Sequence, residues 1–467
     1  MNKAETVFSQ NSIENESRNK IISRLNEGRE NSRKNPLEVT YYFQVSNPDG
    51  SKPYAGIVKT AEMLLAHGTL KPWRNEGNKS FKKPQDYDEY MSWVTDITFI
   101  GHNRKSHVES GTITVAYPLY FFDKCAKGKV PLAQMLETIA GESMFAFSFY
   151  ESARIIDIRL PDKLRKRFPG QKWPNKRIRK YLGLKNNEPI IGTIVKPKTG
   201  ITPEILSESV LAAAKAGANF TKMDENMHFR LEDIRTFVGK VVSDLRNAGF
   251  DLGRSSVPTG RRFLFAPHIT TDPDMMMSYA EEAVKAGANA LMFSPYYGGG
   301  FQKIIEIVKK FDIPVYAHTA GMNVFCGSGT WGIHPKIMYL LAALSGAAFM
   351  QITGFNSYLK PNDSEKKEIL EYMSRNEFSG EDGMTLAIAG GIGPENIGYN
   401  LECMGEDDKM ILAGTSVYGH PAGPGAGVSS LIQAYQGYKE KKITHKEELI
   451  LYAKENNYNE LGNVLKP

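Results

Sequence analysis

The chain has 467 residues with 41% apolar side chains and a formal charge of +6 at pH 7. That length fits two domains, one of them large, and the mild, interspersed charge argues against a nucleic-acid or membrane-surface partner. Three distant cysteines, Cys125, Cys326 and Cys403, and the lack of any membrane-length apolar run or leader core fit a soluble protein of a reducing cytoplasm.

Residues 1–35 are polar with a weak helical stripe, and read as a frayed helix or flexible arm. From Leu37 the pattern changes. LEVTYYFQV alternates as a strand does, the run from Tyr54 to His67 is helical and ends at Gly68, and SGTITVAYPLYFF reads as a further strand. VPLAQMLETIAG then reads as a helix and SFYESARIIDIRL as a strand, so residues 36–160 form a small α+β domain of ferredoxin-like type. Residues 161–188, basic and punctuated by Pro and Gly, read as a solvated linker.

From Pro189 strands and helices alternate regularly. Strands are expected at PIIGTIVKP, NFTKMDE, RFLFAPHIT, NALMFSP, PVYAHTAG, AFMQITG, TLAIAGG and MILAGTSV, with helical runs between them. AAAKAGANF and EEAVKAGANAL share one shape, an amphipathic helix closed by Gly before a strand. Eight such units over residues 189–440 make an α/β fold of the (β/α)8 barrel (TIM barrel) type, followed by a helical tail, 441–467.

In such a barrel the chemistry gathers at the C-terminal strand ends. Lys196 and Lys198 fall after the first strand; Lys222, Asp224 and Glu225 after the second; His268 after the third. His318 and Thr319 follow the fifth, Asn356 the sixth, and Gly390–Gly391 and Gly414–Thr415–Ser416 the last two. Lys222 and Asp224 share a strand face. Two carboxylates and an amine converging there need neutralising, either as a structural ion-pair cluster or by a hard cation such as Mg²⁺. A lysine ligates a cation only as a carbamate formed with CO₂. The glycine turns offer backbone N–H groups to a phosphate.

GTIVKPKTGITPE followed by GANFTKMDEN, with AGG and GHPAGPGAG later, resembles the RuBisCO large-subunit superfamily from about residue 37 onward. The resemblance implies that Lys222 is the carbamylated lysine and that Asp224 and Glu225 are its partners on Mg²⁺. It assigns Lys196 to proton abstraction, Lys198 to the bound CO₂ or carboxylate end, and His318 to the histidine after strand five. Trp73 matches a residue that reaches a neighbouring subunit's phosphate site, implying a homodimer or larger homo-oligomer with shared active sites.

The sequence also departs from the carboxylases. Thr319 stands where they have an arginine, Ile352 is read as replacing a histidine, Leu359 falls at the loop lysine's place beside Lys360, and Ala389 replaces a serine. His67 and Glu142 stand for a glutamate and an asparagine. Losing the arginine, histidine and loop lysine removes charge-assisted contacts to a second phosphate and the carboxylation electrostatics. The expectation is therefore a RuBisCO-like Mg²⁺ enzyme that forms an enolate from a phosphorylated keto-sugar or keto-acid sugar phosphate. A decarboxylase or transcarboxylase outcome is preferred, because Lys196 and Lys198 both remain. Alternatives are an enolase or isomerase of methylthio-sugar phosphates, a true ribulose-bisphosphate carboxylase using Lys360, and a non-catalytic phosphosugar-binding protein.

Overall fold

In the computed structural model, residues 17–29, 35–47, 53–68, 70–71, 82–103, 105–126, 129–185, 188–253, 257–376, 378–405 and 409–465 are described. The chain divides into two units: residues 1–168 with 325–337, and residues 169–324 with 338–467.

The first unit is built on four antiparallel strands, β1 (Leu37–Ser46), β2 (Trp93–Asn103), β3 (Val108–Tyr117) and β4 (Tyr150–Arg159), in the order β4-β1-β3-β2. Strict alternation along β1 buries Val39, Tyr41, Phe43 and Val45 on one face. The helices Ala55–Gly68 and Leu132–Ala140 complete the ferredoxin-like order. Beyond Tyr117 the expected strand stops, and Tyr120–Ala126 is helical. A short parallel strand, Trp331–Ile333, extends this sheet at β4, although its residues lie between two barrel strands in sequence. Residues 17–25 are helical. Asn26, just beyond them, donates to Val94 O at 2.8 Å and accepts from Val94 N–H at 2.9 Å, and buried Arg29 donates to Ser92 O. The N-terminal segment is thus tied to the β2 edge.

The second unit is an eight-stranded parallel barrel: β5 (Ile190–Ile194), β6 (Phe220–Lys222), β7 (Leu264–Ala266), β8 (Leu291–Phe293), β9 (Val315–Ala317), β10 (Phe349–Thr353), β11 (Thr385–Ala389) and β12 (Lys409–Ala413). Pairing runs β8-β9-β10-β11-β12-β5-β6-β7, and the bridge His268–Met292 links β7 back to β8. Barrel helices start on sequence signals: Thr202 caps Pro203–Lys215, and Asn362 with Glu365 forms a capping box on Asp363–Arg375. The repeated Ala-Gly-Ala-Asn has a specific use. Gly217 and Gly287 end their helices at φ +118° and +101°, a region that only glycine enters freely. Asn219 and Asn289 then turn inward, accepting from Ile191 N–H and Phe265 N–H, so each helix end is bonded to the preceding strand.

Residues 161–188 are not a solvated linker. They carry the helices Asp162–Arg165 and Asn175–Leu182, and Trp173, Ile178 and Leu182 join the barrel core beneath Phe220, Leu264 and Phe349. The basic residues there bind protein groups: Arg177 stacks on Trp173 at 3.9 Å and pairs with Asp312, and buried Arg179 donates to Asn175 Oδ1. The helices Lys446–Glu455 and Asn459–Val464 end the chain. No described helix is long and apolar enough to cross a membrane.

Candidate active site

The C-terminal end of β6 places Lys222 inside the barrel, fully buried, and the chain then turns so that Asp224 and Glu225 stay beside it. Lys222 Nζ lies 3.8 Å from Glu225 Oε2, donates to Met223 O at 3.3 Å and sits 5.7 Å above the Tyr316 ring. Burial pushes its amine down to about 8, with the carboxylates of Glu225 and Asp224 opposing that shift and Lys196 reinforcing it. A lysine near this value carries an appreciable neutral fraction at neutral pH, which is the nucleophilic form.

Lys196, from the loop after β5, donates to Asp224 Oδ2 and forms an ion pair with it. Asp224 is nearly fully buried, and burial pushes its carboxyl up. The hydrogen bonds from Lys196 and from Asn226 N–H at 3.0 Å outweigh this, so Asp224 is held below the usual carboxylate range. His318, after β9, accepts from Ala320 N–H through Nδ1 at 3.0 Å. Its proton is therefore on Nε2, which faces Glu225 Oε2 at 3.4 Å. Burial, then Lys222, His268 and Lys196, depress His318 well below the ordinary imidazole value, so it stays neutral.

His268 is buried with both nitrogens engaged. Nδ1–H donates to Met227 O at 2.8 Å, Nε2 accepts from Thr270 Oγ1 at 2.6 Å, and Thr270 in turn accepts from Ser294 N–H. Burial lowers it to about 4. So arranged, His268 braces the loops after β6, β7 and β8 and holds no spare donor for a phosphate. Lys198 is exposed, with no hydrogen-bond or ion-pair partner among the described residues.

The opposite side of the mouth is made of backbone. Gly390 and Gly391 follow β11 at φ +86° and +74°, and Gly414 precedes the single turn Thr415–Tyr418 after β12. Ser416 Oγ donates to Ile392 O at 2.7 Å and ties the two turns together. A side chain on Gly390 would meet Leu359 Cδ1 at 2.7 Å, and one on Gly414 would lie 3.5 Å from Lys196 Cε. The glycine turns therefore border both the loop after β10 and the lysine. Trp73 lies outside the described residues.

Strand β10 corrects one correspondence. Ile352 is buried on the opposite face of the strand, whereas its neighbour Gln351 faces the barrel interior and accepts from Tyr316 Oη–H at 3.1 Å. Gln351, not Ile352, is the residue that presents itself to the site at that height. Thr353, two residues on, shares its face, and its Oγ1 is buried without a hydrogen-bond partner among the described residues. Neither was singled out from sequence, although the two-residue period of AFMQITG carries the signal once its phase is known.

Among the described residues no three His, Cys, Asp or Glu side chains are arranged to hold a metal ion. Asp224 and Glu225 supply two carboxylates. A carboxylate carried on Lys222 would give a hard divalent cation a third anionic oxygen here. The buried, down-shifted amine is chemically suited to that reaction.

Together these features define a (β/α)8 barrel protein with a lysine–carboxylate centre and glycine-rich turns at the C-terminal ends of its strands. The catalytic-domain model of the ribulose bisphosphate carboxylase large chain matches residues 176–464, and its N-terminal-domain model matches residues 81–164. The chain belongs to the ribulose bisphosphate carboxylase large-chain family. It is 27% identical over 374 residues to the ribulose bisphosphate carboxylase of Methanocaldococcus jannaschii, covering 77% of this chain and 84% of that one. It is 28% identical over 309 residues to the 3-oxo-isoapionate-4-phosphate decarboxylase of Rhizobium etli, covering 64% and 71%. The crystal structure of a rubisco-like protein (MtnW) from Alicyclobacillus acidocaldarius superposes with a TM-score of 0.73 at 20% identity, covering 92% and 99% of the two chains.

Proposed function

We propose that the protein is a RuBisCO-like enzyme that forms an enolate from a phosphorylated keto-acid sugar or keto-sugar, most directly by decarboxylation. The observation that carries this reading is the fully buried Lys222, its amine lowered to about 8, set against Asp224 and Glu225. Addition of CO₂ to the neutral Lys222 amine, forming the N–C bond as the C=O π pair moves to oxygen and a proton leaves to solvent, would give a carbamate. Asp224, Glu225 and the Lys222 carbamate would then hold Mg²⁺, whose charge stabilises an oxyanion developing at the substrate carbonyl.

The chain's own groups supply the rest. His318 Nε2 faces Glu225 Oε2 at 3.4 Å and would help keep that carboxylate at the site. Lys196 holds its proton at Asp224 Oδ2, at the edge of the site. When the substrate's C–CO₂⁻ bond breaks, the electron pair stays on the α-carbon as the enolate, CO₂ leaves, and Lys196 delivers its proton to that carbon. Exposed Lys198 would meet the substrate carboxylate, and the turns at 390–391 and 414–416 would hold the phosphate through N–H groups. Support for decarboxylation comes from the retention of both lysines and from the decarboxylase among the relatives. The proposal extends to a homo-oligomer in which Trp73 completes a neighbour's site.

The test is NMR in D₂O with Mg²⁺ and bicarbonate on a panel of keto-sugar phosphates and keto-acid sugar phosphates. CO₂ release with deuterium entering the vacated position is the expected result. Deuterium entry without carbon loss converts the reading to an enolase or isomerase. No change in any candidate overturns it.

A further inference from the structure

Inside the barrel mouth, Thr353 carries an unmet hydrogen bond. It ends β10 beside Ala389 of β11, a barrel-core residue, and shares the inward face of Phe349 and Gln351. Thr353 is 6% exposed, and its Oγ1 has no hydrogen-bond partner among the described residues. A hydroxyl so buried is costly unless something completes it, so an orphan at the mouth of a site marks a place kept for a ligand. The backbone just beyond it is pinned. Phe355 N–H donates to buried Asn400 Oδ1 at 2.7 Å, and the ammonium of fully buried Lys366 donates to Gly354 O at 2.6 Å.

Gln351 presents a second open group. Its Oε1 accepts from Tyr316 Oη–H, which turns the Nε2 amide away from Tyr316, and no described residue accepts from that nitrogen. Tyr316 joins the pair to the lysine–carboxylate cluster. Lys222 Nζ lies 5.7 Å from its ring centre, and the His318 ring lies 6.2 Å away. Burial, reinforced by the Glu225 carboxylate, holds the Tyr316 hydroxyl well above the ordinary phenol value, so it keeps the proton it donates to Gln351. At the other end Thr353 borders the glycine turn. A Cβ on Gly390 would lie 2.7 Å from Leu359 Cδ1 and 3.9 Å from Thr353 Cγ2, with Oγ1 farther off. The methyl therefore faces the turn, and the hydroxyl is left for another part of a bound molecule. The inward residues of β10 and β11, Phe349, Gln351, Thr353, Ala387 and Ala389, are all neutral. A phosphate or carboxylate would find no cation on this face. A sugar hydroxyl fits it, accepting from the amide and exchanging a hydrogen bond with the threonine.

We infer that Gln351 Nε2 and Thr353 Oγ1 are specificity-determining groups that hold an uncharged hydroxyl of the substrate, on the stretch of barrel wall between Tyr316 and the glycine turns. This rests on the enolate reading for the substrate's identity as a sugar phosphate. Leu359, 37% exposed beside the 88% exposed Tyr358, is the side chain such a substrate displaces to reach them.

Thr353→Val and Gln351→Glu test this in the full chain. Valine keeps threonine's shape and removes only the hydroxyl. Glutamate keeps an oxygen for Tyr316 and removes the amide donors. Calorimetric titration with Mg²⁺ and bicarbonate compares ribulose 5-phosphate, which carries hydroxyls and one phosphate, with inorganic phosphate. Each variant should weaken the sugar phosphate about tenfold and leave inorganic phosphate unchanged, whereas Thr353→Ser, which retains the hydroxyl, should keep the wild-type affinity. The unliganded Thr353→Val chain should also unfold at a higher temperature than the wild type, because a methyl replaces an unpaired hydroxyl. A lower unfolding temperature in Thr353→Val would mean that the hydroxyl is already partnered in the fold, and would overturn the inference. So would an unchanged sugar affinity in either variant, an equal loss for sugar and phosphate, or no sugar binding by the wild type. Failure of the enolate reading has a different signature: no isotope exchange or CO₂ release, while Thr353→Val still weakens the sugar selectively.

Discussion

The two sides of the barrel mouth are built from different materials. On the β6–β9 side, chemistry depends on polar and charged side chains set against one another: Lys196 on Asp224, Lys222 near Glu225, and neutral His318 facing Glu225. On the β11–β12 side the work falls to backbone bent into conformations suited to glycine at 390 and 391. The first side is set by residue identity and the second by the absence of side chains. A substitution on one should therefore remove turnover, and on the other should weaken phosphate binding.

Lys222→Ala gives the largest expected effect. Isotope exchange or CO₂ release should fall by about 10³-fold or more, because the buried amine and the carbamate oxygen it would supply in the proposed reaction are both lost. Inorganic phosphate binding should be nearly unchanged, and equal losses in both would break the contrast. Acid should damage the side-chain half next. Burial lowers His268 to about 4, so the folded state keeps it neutral, whereas the unfolded chain takes up a proton below the ordinary value of 6.5. Stability is thus present above pH 6.5 and falls as pH drops towards 4, by ~2 kcal/mol between pH 7 and pH 5 from this group. Urea unfolding at both pH values should show a smaller loss in His268→Gln than in the wild type.

Gly390→Val addresses the backbone half. A branched residue at φ +86° that also meets Leu359 should cost about 1–3 kcal/mol, read as a tenfold to hundredfold weaker phosphate Kd with Lys222 chemistry intact. The smallest effect is the sharpest for mechanism. Activation by bicarbonate and Mg²⁺ should rise about tenfold from pH 7 to pH 9 with a midpoint near 8, following the neutral fraction of Lys222. A flat profile would detach activation from that amine.

Much of this was legible in the chain. The barrel follows from strand–helix alternation, and its helix ends from Ala-Gly-Ala-Asn, because glycine and asparagine there have local conformational and hydrogen-bonding jobs. The Lys222–Glu225 cluster follows from three ionisable residues at one strand end. What escaped depended on long-range packing. The phase of β10, which turns Gln351 inward, is set by its neighbours, since short strands read as buried on either face. The segment 161–188 looked solvated because its basic residues outnumber Trp173, Ile178 and Leu182, and their carbonyl and aromatic partners lie far away in sequence.

The strand Trp331–Ile333 carries a consequence for synthesis on the ribosome. Its pairing closes the β4 edge of the first unit's sheet, yet it is translated after five barrel strands have already emerged. Until then β4 presents unpaired amides and carbonyls along its outer side, a template for another nascent chain. The first unit cannot reach its final sheet as an independent N-terminal piece. Expressed alone as residues 1–168, it should aggregate more readily than the full chain, because the missing strap is thirteen residues of a segment encoded more than 150 positions later.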